Sequence, residues 1–258
     1  MTRATDDSAP VLLGARQVVF LCAALLATAL LILWIGRATD LDLIWADALY
    51  DAHAGAFPWR HAWLTETFNH TILKSVLTLA AAWFIATAAW DVFRPRDGVD
   101  ALGRLRLRVV GASSLLVPLV ISMLKQASVA HCPWDLARYG GTQPYLRMFD
   151  ALPLGVPAGH CLPAGHASSA LWLVSLCVYW LPGRPQGARR VALAALLFGG
   201  LVGWMQQLRG AHFMTHTLWS IWLACAVVLT IIVGLQLWQA RRPVPVPDYL
   251  AEAVEDAG

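Results

Sequence analysis

The stretch Pro163-Ala-Gly-His166 stands directly before a long apolar run, which makes it the expected start of a helix. The first free N–H groups of a helix form an anion-binding site, and Gly165 lets the backbone approach a bound anion closely. His166 places beside that anion an imidazole that can donate or accept a proton near neutral pH. The pattern therefore indicates acid–base chemistry on an anionic substrate.

Two further segments bring cations and histidines to the ends of apolar runs. Lys125 closes one run, and Arg209, His212 and His216 lie in the short connection between two others. Lys and Arg neutralise phosphate oxygens, Arg through a bidentate fork. Two imidazoles can divide the remaining work, one as the nucleophile and the other as the acid for the leaving group. The set predicts phosphoryl transfer without a metal ion.

The composition of the chain is that of an integral membrane protein. Of its 258 residues, 58% are hydrophobic and 14% are charged, whereas soluble domains have about 25% charged residues. The net charge of +3 is too small and too dispersed to indicate nucleic-acid binding. A helix needs about 20 residues to cross a bilayer, and six segments approach that length. They are 16–36, 72–93, 107–127, 166–182, 191–209 and 217–239.

These segments predict an all-α, six-helix membrane bundle over residues 16–240. An N-terminal tail at 1–15 and a disordered tail at 241–258 flank the bundle, both on the cytoplasmic side. Arginines concentrate in the connections that share a side with both termini, and the positive-inside rule places that side in the cytoplasm. The candidate residues then share the outer face of the membrane, which predicts an outward-facing active site. Within residues 37–71 on that face, the stretch 40–50 suits an interfacial amphipathic helix.

Three blocks of sequence carry the candidate residues. They are Lys125-(six residues)-Cys132-Pro133, Pro163-Ala-Gly-His166, and the segment that contains Arg209, His212 and His216. In this order they resemble the signature of the type 2 phosphatidic acid phosphatase family, over about residues 107–230. The resemblance implies a membrane lipid phosphatase that hydrolyses a phosphate monoester or diphosphate through a phosphohistidine, without a cofactor. It also implies that His212 is the nucleophile and that His166 protonates the leaving oxygen.

Four positions depart from that signature. Cys132 stands for an Arg, Ala164 for a Ser and Gln206 for an Arg, while His216 replaces the Asp that orients the nucleophile. On a helix face the spacing of four would let neutral His216 accept an N–H bond from His212. The departures leave two alternatives open, a lipid phosphotransferase and a catalytically degenerate membrane lipid-binding protein.

The polar outer segment offers further candidates. Arg138 is a candidate phosphate-binding residue, and Cys132 and Cys161 can form a disulfide because an outer loop meets an oxidising compartment. The segment has enough His and Cys for zinc, but it lacks a short paired ligand spacing, so no metal site is predicted. The stretches 132–136, 139–141, 161–169 and 210–213 are similar to a bacterial subgroup that includes lipid A 4'-phosphatases. That resemblance implies a bacterial inner-membrane protein with a periplasmic active site. The expected substrate is a lipid A, polyprenyl or glycerophospholipid phosphate at the outer leaflet.

Overall fold

The computed structural model describes residues 10–241, which fold into helices without a β-strand. A short helix α2 (Leu41–Leu49) follows the first long helix, and α5 (Gly165–Leu171) continues as a 3-10 helix over Trp172–Trp180. The all-α fold class predicted from the sequence is confirmed. Within residues 10–241, five helices are long and apolar enough to cross a membrane, and α3 among them is preceded by a π-helix at Leu64–Leu73. They are α1 (Ala15–Ala38), α3 (Lys74–Phe93), α4 (Ala101–Gln126), α6 (Pro185–Leu208) and α7 (Met214–Ala240).

The predicted span 166–182 differs in detail from the other five. It consists of seven α-helical residues and nine 3-10 residues. A 3-10 helix rises about 2.0 Å per residue and an α-helix about 1.5 Å, so the segment is roughly 28 Å long. That length is close to the roughly 30 Å thickness of a bilayer core. A sixth crossing here, and the orientation of the bundle, stay predictions.

Other sequence expectations concern the ends of the chain and the first outer segment. The expected amphipathic helix within 37–71 corresponds in position to α2. The tails predicted at 1–15 and 241–258 fall mostly on residues 1–9 and 242–258, which lie outside the described residues.

Small residues bring the long helices close enough to assemble the bundle. A Cβ on Gly111 of α4 would lie 2.4 Å from Ala88 of α3. On α6, a Cβ on Gly199 would lie 2.4 Å from Leu171, and one on Gly203 would lie 2.3 Å from Thr217. Side chains of this size let helix backbones approach within a membrane. Helix α3 therefore packs closely against α4, and α6 against α5 and α7, at these glycines.

The connections near the start of α7 are joined to one another. A disulfide joins Cys132 to Cys161, and backbone hydrogen bonds pair the stretches 128–130 and 159–161. The buried carboxylate of Asp42 on α2 accepts hydrogen bonds from the amide, at 2.9 Å, and the hydroxyl of Thr215. Free amides at a helix start need acceptors, so Asp42 caps α7 from a distant element. These contacts hold both flanking loops against the same end of the bundle.

Candidate active site

Five helix ends converge at one end of the bundle, and each carries a basic side chain. They are the starts of α3, α5 and α7 and the ends of α4 and α6. The backbone also links two of them, because the amide of Ala164 donates to the carbonyl of His216 at 3.1 Å and the hydroxyl of Ser220 donates to the carbonyl of Ala164. The residues at these ends are Lys74, Lys125, His166, Arg209 and His216.

The connection between α6 and α7 is a tight turn that sets the position of His212. Helix α6 ends in a paired hydrogen-bond pattern, in which Ala211 N–H donates to Gln206 and Gly210 N–H donates to Gln207. Gly210 has φ +72°, and a Cβ there would lie 2.3 Å from the ring of Phe57. Glycine is therefore required at this point, and the chain reverses directly into His212.

The His212 imidazole packs against the disulfide. Its Nδ1 lies 3.4 Å from Sγ of Cys161, and the residue is only 3% exposed. A disulfide sulfur carries no proton, so it can only accept from this nitrogen. Assigning the proton to Nδ1 leaves Nε2 with a free lone pair. The disulfide thus favours the tautomer that a nucleophilic His212 needs.

Burial also keeps His212 uncharged. The pKa of His212 is held well below its ordinary value of 6.5, first by burial and then by His216, Lys125 and His166. A neutral imidazole retains the lone pair that attacks phosphorus. The neutral form of His212 is therefore favoured.

His216 does not take the hydrogen bond expected from the sequence. Helix α7 begins at Met214 with Phe213 as its N-cap, so His212 precedes the helix and the two residues do not share a helix face. Their rings meet edge to face with centroids 5.8 Å apart, and the buried Nδ1 of His216 has no hydrogen-bond partner. Cys161 has instead taken the place beside Nδ1 of His212.

His166 faces His212 across a gap that suits one phosphate group. The two ring centroids lie 6.4 Å apart. An imidazole bonded to phosphorus and another hydrogen-bonded to the leaving oxygen at about 2.8 Å need centroids roughly 6–8 Å apart. Both ring nitrogens of His166 are shielded from solvent and lack a hydrogen-bond partner. Buried polar atoms are normally paired, so these two are free to bind a ligand.

Lys125 lies over the start of α5 beside His166. A Cβ on Gly165 would lie 3.4 Å from Cδ of Lys125 and 3.8 Å from its Nζ. Gly165 is the first residue of α5, and the Ala164 side chain provides no cap. The free amides of this helix start and the Lys125 ammonium therefore face the same small space, as expected for an anion site.

Of the two arginines predicted to bind phosphate, only Arg209 lies near the histidines. Its guanidinium is 9% exposed and donates to the carbonyl of Arg60, to Gln206 and, at 3.4 Å, to Glu66. Since a guanidinium has five N–H groups, two remain for a ligand. Gln206, at the position where the resembled family has an Arg, holds Arg209 in place.

Arg138 has a different environment from the one expected. It forms two hydrogen bonds, at 2.8 and 2.6 Å, to the carboxylate of Asp47 on α2. Two of its five N–H groups thus bind a carboxylate at an exposed position, and no described contact joins Arg138 to either catalytic candidate. Asp135, in the same segment as Arg138, accepts a hydrogen bond from the amide of Cys132.

Two residues that sequence reasoning missed lie at the site. His70, in the π-helix, has its ring centroid 4.2 Å from that of His166. Lys74, one turn further, lines a cavity together with Lys125 and His166. The available signal was the spacing of four between a histidine and a lysine at the start of a predicted span.

That cavity, of about 480 Å³, runs from the basic residues down between α3, α4 and α5. Along α3 it extends from Lys74 to Ile85, which is roughly 16 Å at 1.5 Å per residue. Beyond the charged end its lining is largely apolar. These apolar residues are Leu77, Ala81, Ala82, Ile85, Leu115, Pro118 and Trp172.

One group of side chains within residues 10–241 has the density of a metal site. The donor atoms of Cys132, Cys161 and His212 lie within 4.8 Å of one another. The two sulfurs are joined to each other, however, and a disulfide has no thiolate to bind a metal ion. The group therefore does not fit a metal centre in this state.

Comparison with known proteins identifies the family. The model of the PAP2 superfamily matches residues 106–240, slightly more than half of the chain, and the chain belongs to this superfamily. Membership implies phosphatase or phosphotransferase activity on phosphorylated lipids. No curated protein and no solved structure matches the chain.

Proposed function

We propose that this member of the PAP2 superfamily hydrolyses a lipid-linked phosphate monoester or diphosphate through a phosphohistidine on His212. The carrying observation is the pair of facing imidazoles, with centroids 6.4 Å apart, at the charged end of an apolar cavity. Neither imidazole needs a metal ion for this reaction, because the surrounding cations and amides neutralise the phosphate.

The first chemical step forms the phosphoenzyme. The Nε2 lone pair of His212 attacks phosphorus, and the bond from phosphorus to the leaving oxygen breaks. His166, which takes up a proton when the phosphate dianion binds beside it, gives that proton to the leaving oxygen, so the lipid leaves as an alcohol, or as a monophosphate when the substrate is a diphosphate. Lys125, the α5 amides and the two remaining N–H groups of Arg209 stabilise the charge on the transferred phosphoryl group.

The second step releases phosphate and restores the site. Neutral His166 removes a proton from a water molecule, whose oxygen attacks phosphorus as the bond to His212 breaks. Inorganic phosphate leaves, and His166 again carries the proton with which it began. The cycle therefore needs no further acid or base from the protein.

The cavity supports a lipid substrate. Its apolar lining begins about one helical turn below Lys74, at Leu77, and continues for roughly 12 Å along α3 to Ile85. Burial of a hydrocarbon chain there contributes about 0.8 kcal/mol per CH2 group. A lipid bound in this way has its phosphate at Lys125 and its chain within the bundle. By the positive-inside argument, we place this site at the periplasmic face of a bacterial inner membrane.

The test is phosphate release by protein purified in detergent, with excess chelator and a panel of phosphatidate, polyprenyl diphosphate and phosphorylated lipid A. We expect chelator-resistant release that is lost in His212→Ala and in His166→Ala. His53→Ala, at an exposed loop position, is the matched control and should retain activity. Release that survives in His212→Ala, or that chelator abolishes and zinc restores, would contradict the proposal. Transfer of radiolabel to a second lipid in place of release would identify a phosphotransferase.

A further inference from the structure

Three side chains at intervals of four residues along the π-helix and the start of α3 face the proposed active site. Glu66 contacts Arg209 at 3.4 Å, His70 packs on His166 with ring centroids 4.2 Å apart, and Lys74 lines the cavity. The matched family segment begins at residue 106, so this part of the chain lies before it.

Lys74 is available to an incoming anion. It shares the charged end of the cavity with Lys125, His166 and Gly165, and it acts electrostatically on Lys125. The ion pairs among residues 10–241 include neither lysine. Two like charges at the same cavity end repel each other until an anion lies between them. Their arrangement favours a ligand with more than one negative charge.

His70 contacts His166 by ring packing. No hydrogen bond joins them, because both ring nitrogens of His166 lack a partner. The charged groups that act on His70 are Glu66 and Lys74 on its own segment, Lys125 on α4 and Arg209 after α6. On its other side, His166 faces His212 at 6.4 Å. The His70 ring thus packs against the His166 imidazole, which in the proposed mechanism must face the leaving oxygen.

We propose that the His70–Lys74 face of the chain forms a further wall of the phosphate site, in which Lys74 binds a phosphate oxygen and His70 positions His166. This inference rests on the proposed function for the role of His166, but not for the binding of phosphate by Lys74. Lys74 supplies a second ammonium opposite Lys125. His70 acts through ring packing, and it transfers no proton in the cycle.

The Lys74 half is tested by calorimetric titration of inorganic phosphate into the detergent-purified protein. Lys74→Gln should bind phosphate about ten-fold or more weakly, because it loses a charge-assisted hydrogen bond. Thr71→Ala, an exposed position on the neighbouring face, should bind phosphate as wild type does. An affinity of Lys74→Gln within two-fold of wild type, with an unchanged thermal midpoint, would overturn the assignment. This measurement stands even if no lipid phosphate is hydrolysed.

The His70 half is tested by kinetics on a lipid phosphate that wild type hydrolyses. His70→Ala should lower kcat on the order of 10- to 100-fold with little change in KM, because a displaced catalytic ring loses its alignment. His70→Phe keeps a flat ring without ring nitrogens, and it should recover most of the lost kcat. Equal losses in both variants would overturn a packing role, as would an unchanged kcat in His70→Ala. If wild type hydrolyses the lipid phosphate and either of these contradicting results is found, this inference alone is refuted. If wild type hydrolyses no lipid phosphate, the proposed function is refuted.

Discussion

Removal of the disulfide beside His212 should reduce both stability and turnover, and two double variants separate these effects. Cys132 and Cys161 are 29 positions apart. For a loop of this length, the chain-entropy account gives a stabilisation of about 3.6 kcal/mol. For a chain of this size, that corresponds to a drop in thermal midpoint on the order of 7–14 °C if the loop opens in the global transition. Both C132A/C161A and C132A/C161S should show this drop in detergent.

Turnover should differ between the two variants because only one of them keeps an acceptor near Nδ1 of His212, now 3.4 Å from the Cys161 sulfur. C132A/C161A leaves that nitrogen without a partner, and loss of a weak hydrogen bond should lower kcat roughly 2- to 10-fold. The serine hydroxyl in C132A/C161S can accept in its place and should recover part of kcat. Cys22→Ala, which removes an exposed free cysteine, is the control for alanine substitution itself. If both double variants turn over at the wild-type rate, the sulfur does not orient His212 and the reasoning is refuted.

Two further substitutions test the elements that hold the site. Gly210→Ala places a Cβ on a residue with φ +72°, where it would lie 2.3 Å from the ring of Phe57, so the thermal midpoint should fall by an amount equivalent to about 1–3 kcal/mol. Gly234→Ala is the control, because a Cβ there meets nothing within 4 Å, and its thermal midpoint should be unchanged. Equal midpoints for the two variants would contradict the close approach at Gly210. Asp42→Ala leaves the amide and hydroxyl of Thr215 unpaired, which should cost about 1–3 kcal/mol. Burial raises the pKa of Asp42 above its usual 3.8, so ionisation of this carboxyl opposes folding. The free energy of unfolding of wild type should therefore fall, relative to that of Asp42→Asn, as pH rises through the raised pKa. A difference in unfolding free energy that does not change between pH 3 and 7 would contradict the burial of this carboxyl.

The sequence predicts that His166 and His212 share one end of the bundle because each lies where an apolar run begins or ends, and their ring centroids are 6.4 Å apart. Apolar length and the alternation of loops place His166, His212 and Lys125 on one face of a membrane without any knowledge of packing. The same reasoning misassigned the partner of His212. Spacing of four indicates proximity only within a helix, and α7 begins after His212.

Other contacts depend on how helices pack and could not be predicted from the sequence. His70 reaches His166 because the π-helix leads directly into α3, which packs beside α5. No local pattern specifies that packing. Arg138 binds Asp47 on α2, some ninety residues earlier in the chain, and counting charges along the sequence cannot identify this pair.

The proposed phosphohistidine can be observed directly by acid-free quenching and peptide mapping after reaction with a radiolabelled phosphate ester. Because His166 activates the water of the second step, His166→Ala should accumulate label when the leaving group is an aryl oxide that needs no protonation. The account predicts that this label lies on the peptide that contains His212 and is absent from the double variant with His212→Ala. Label on any other residue, or rapid phosphate release from His166→Ala/His212→Ala, would contradict the central claim.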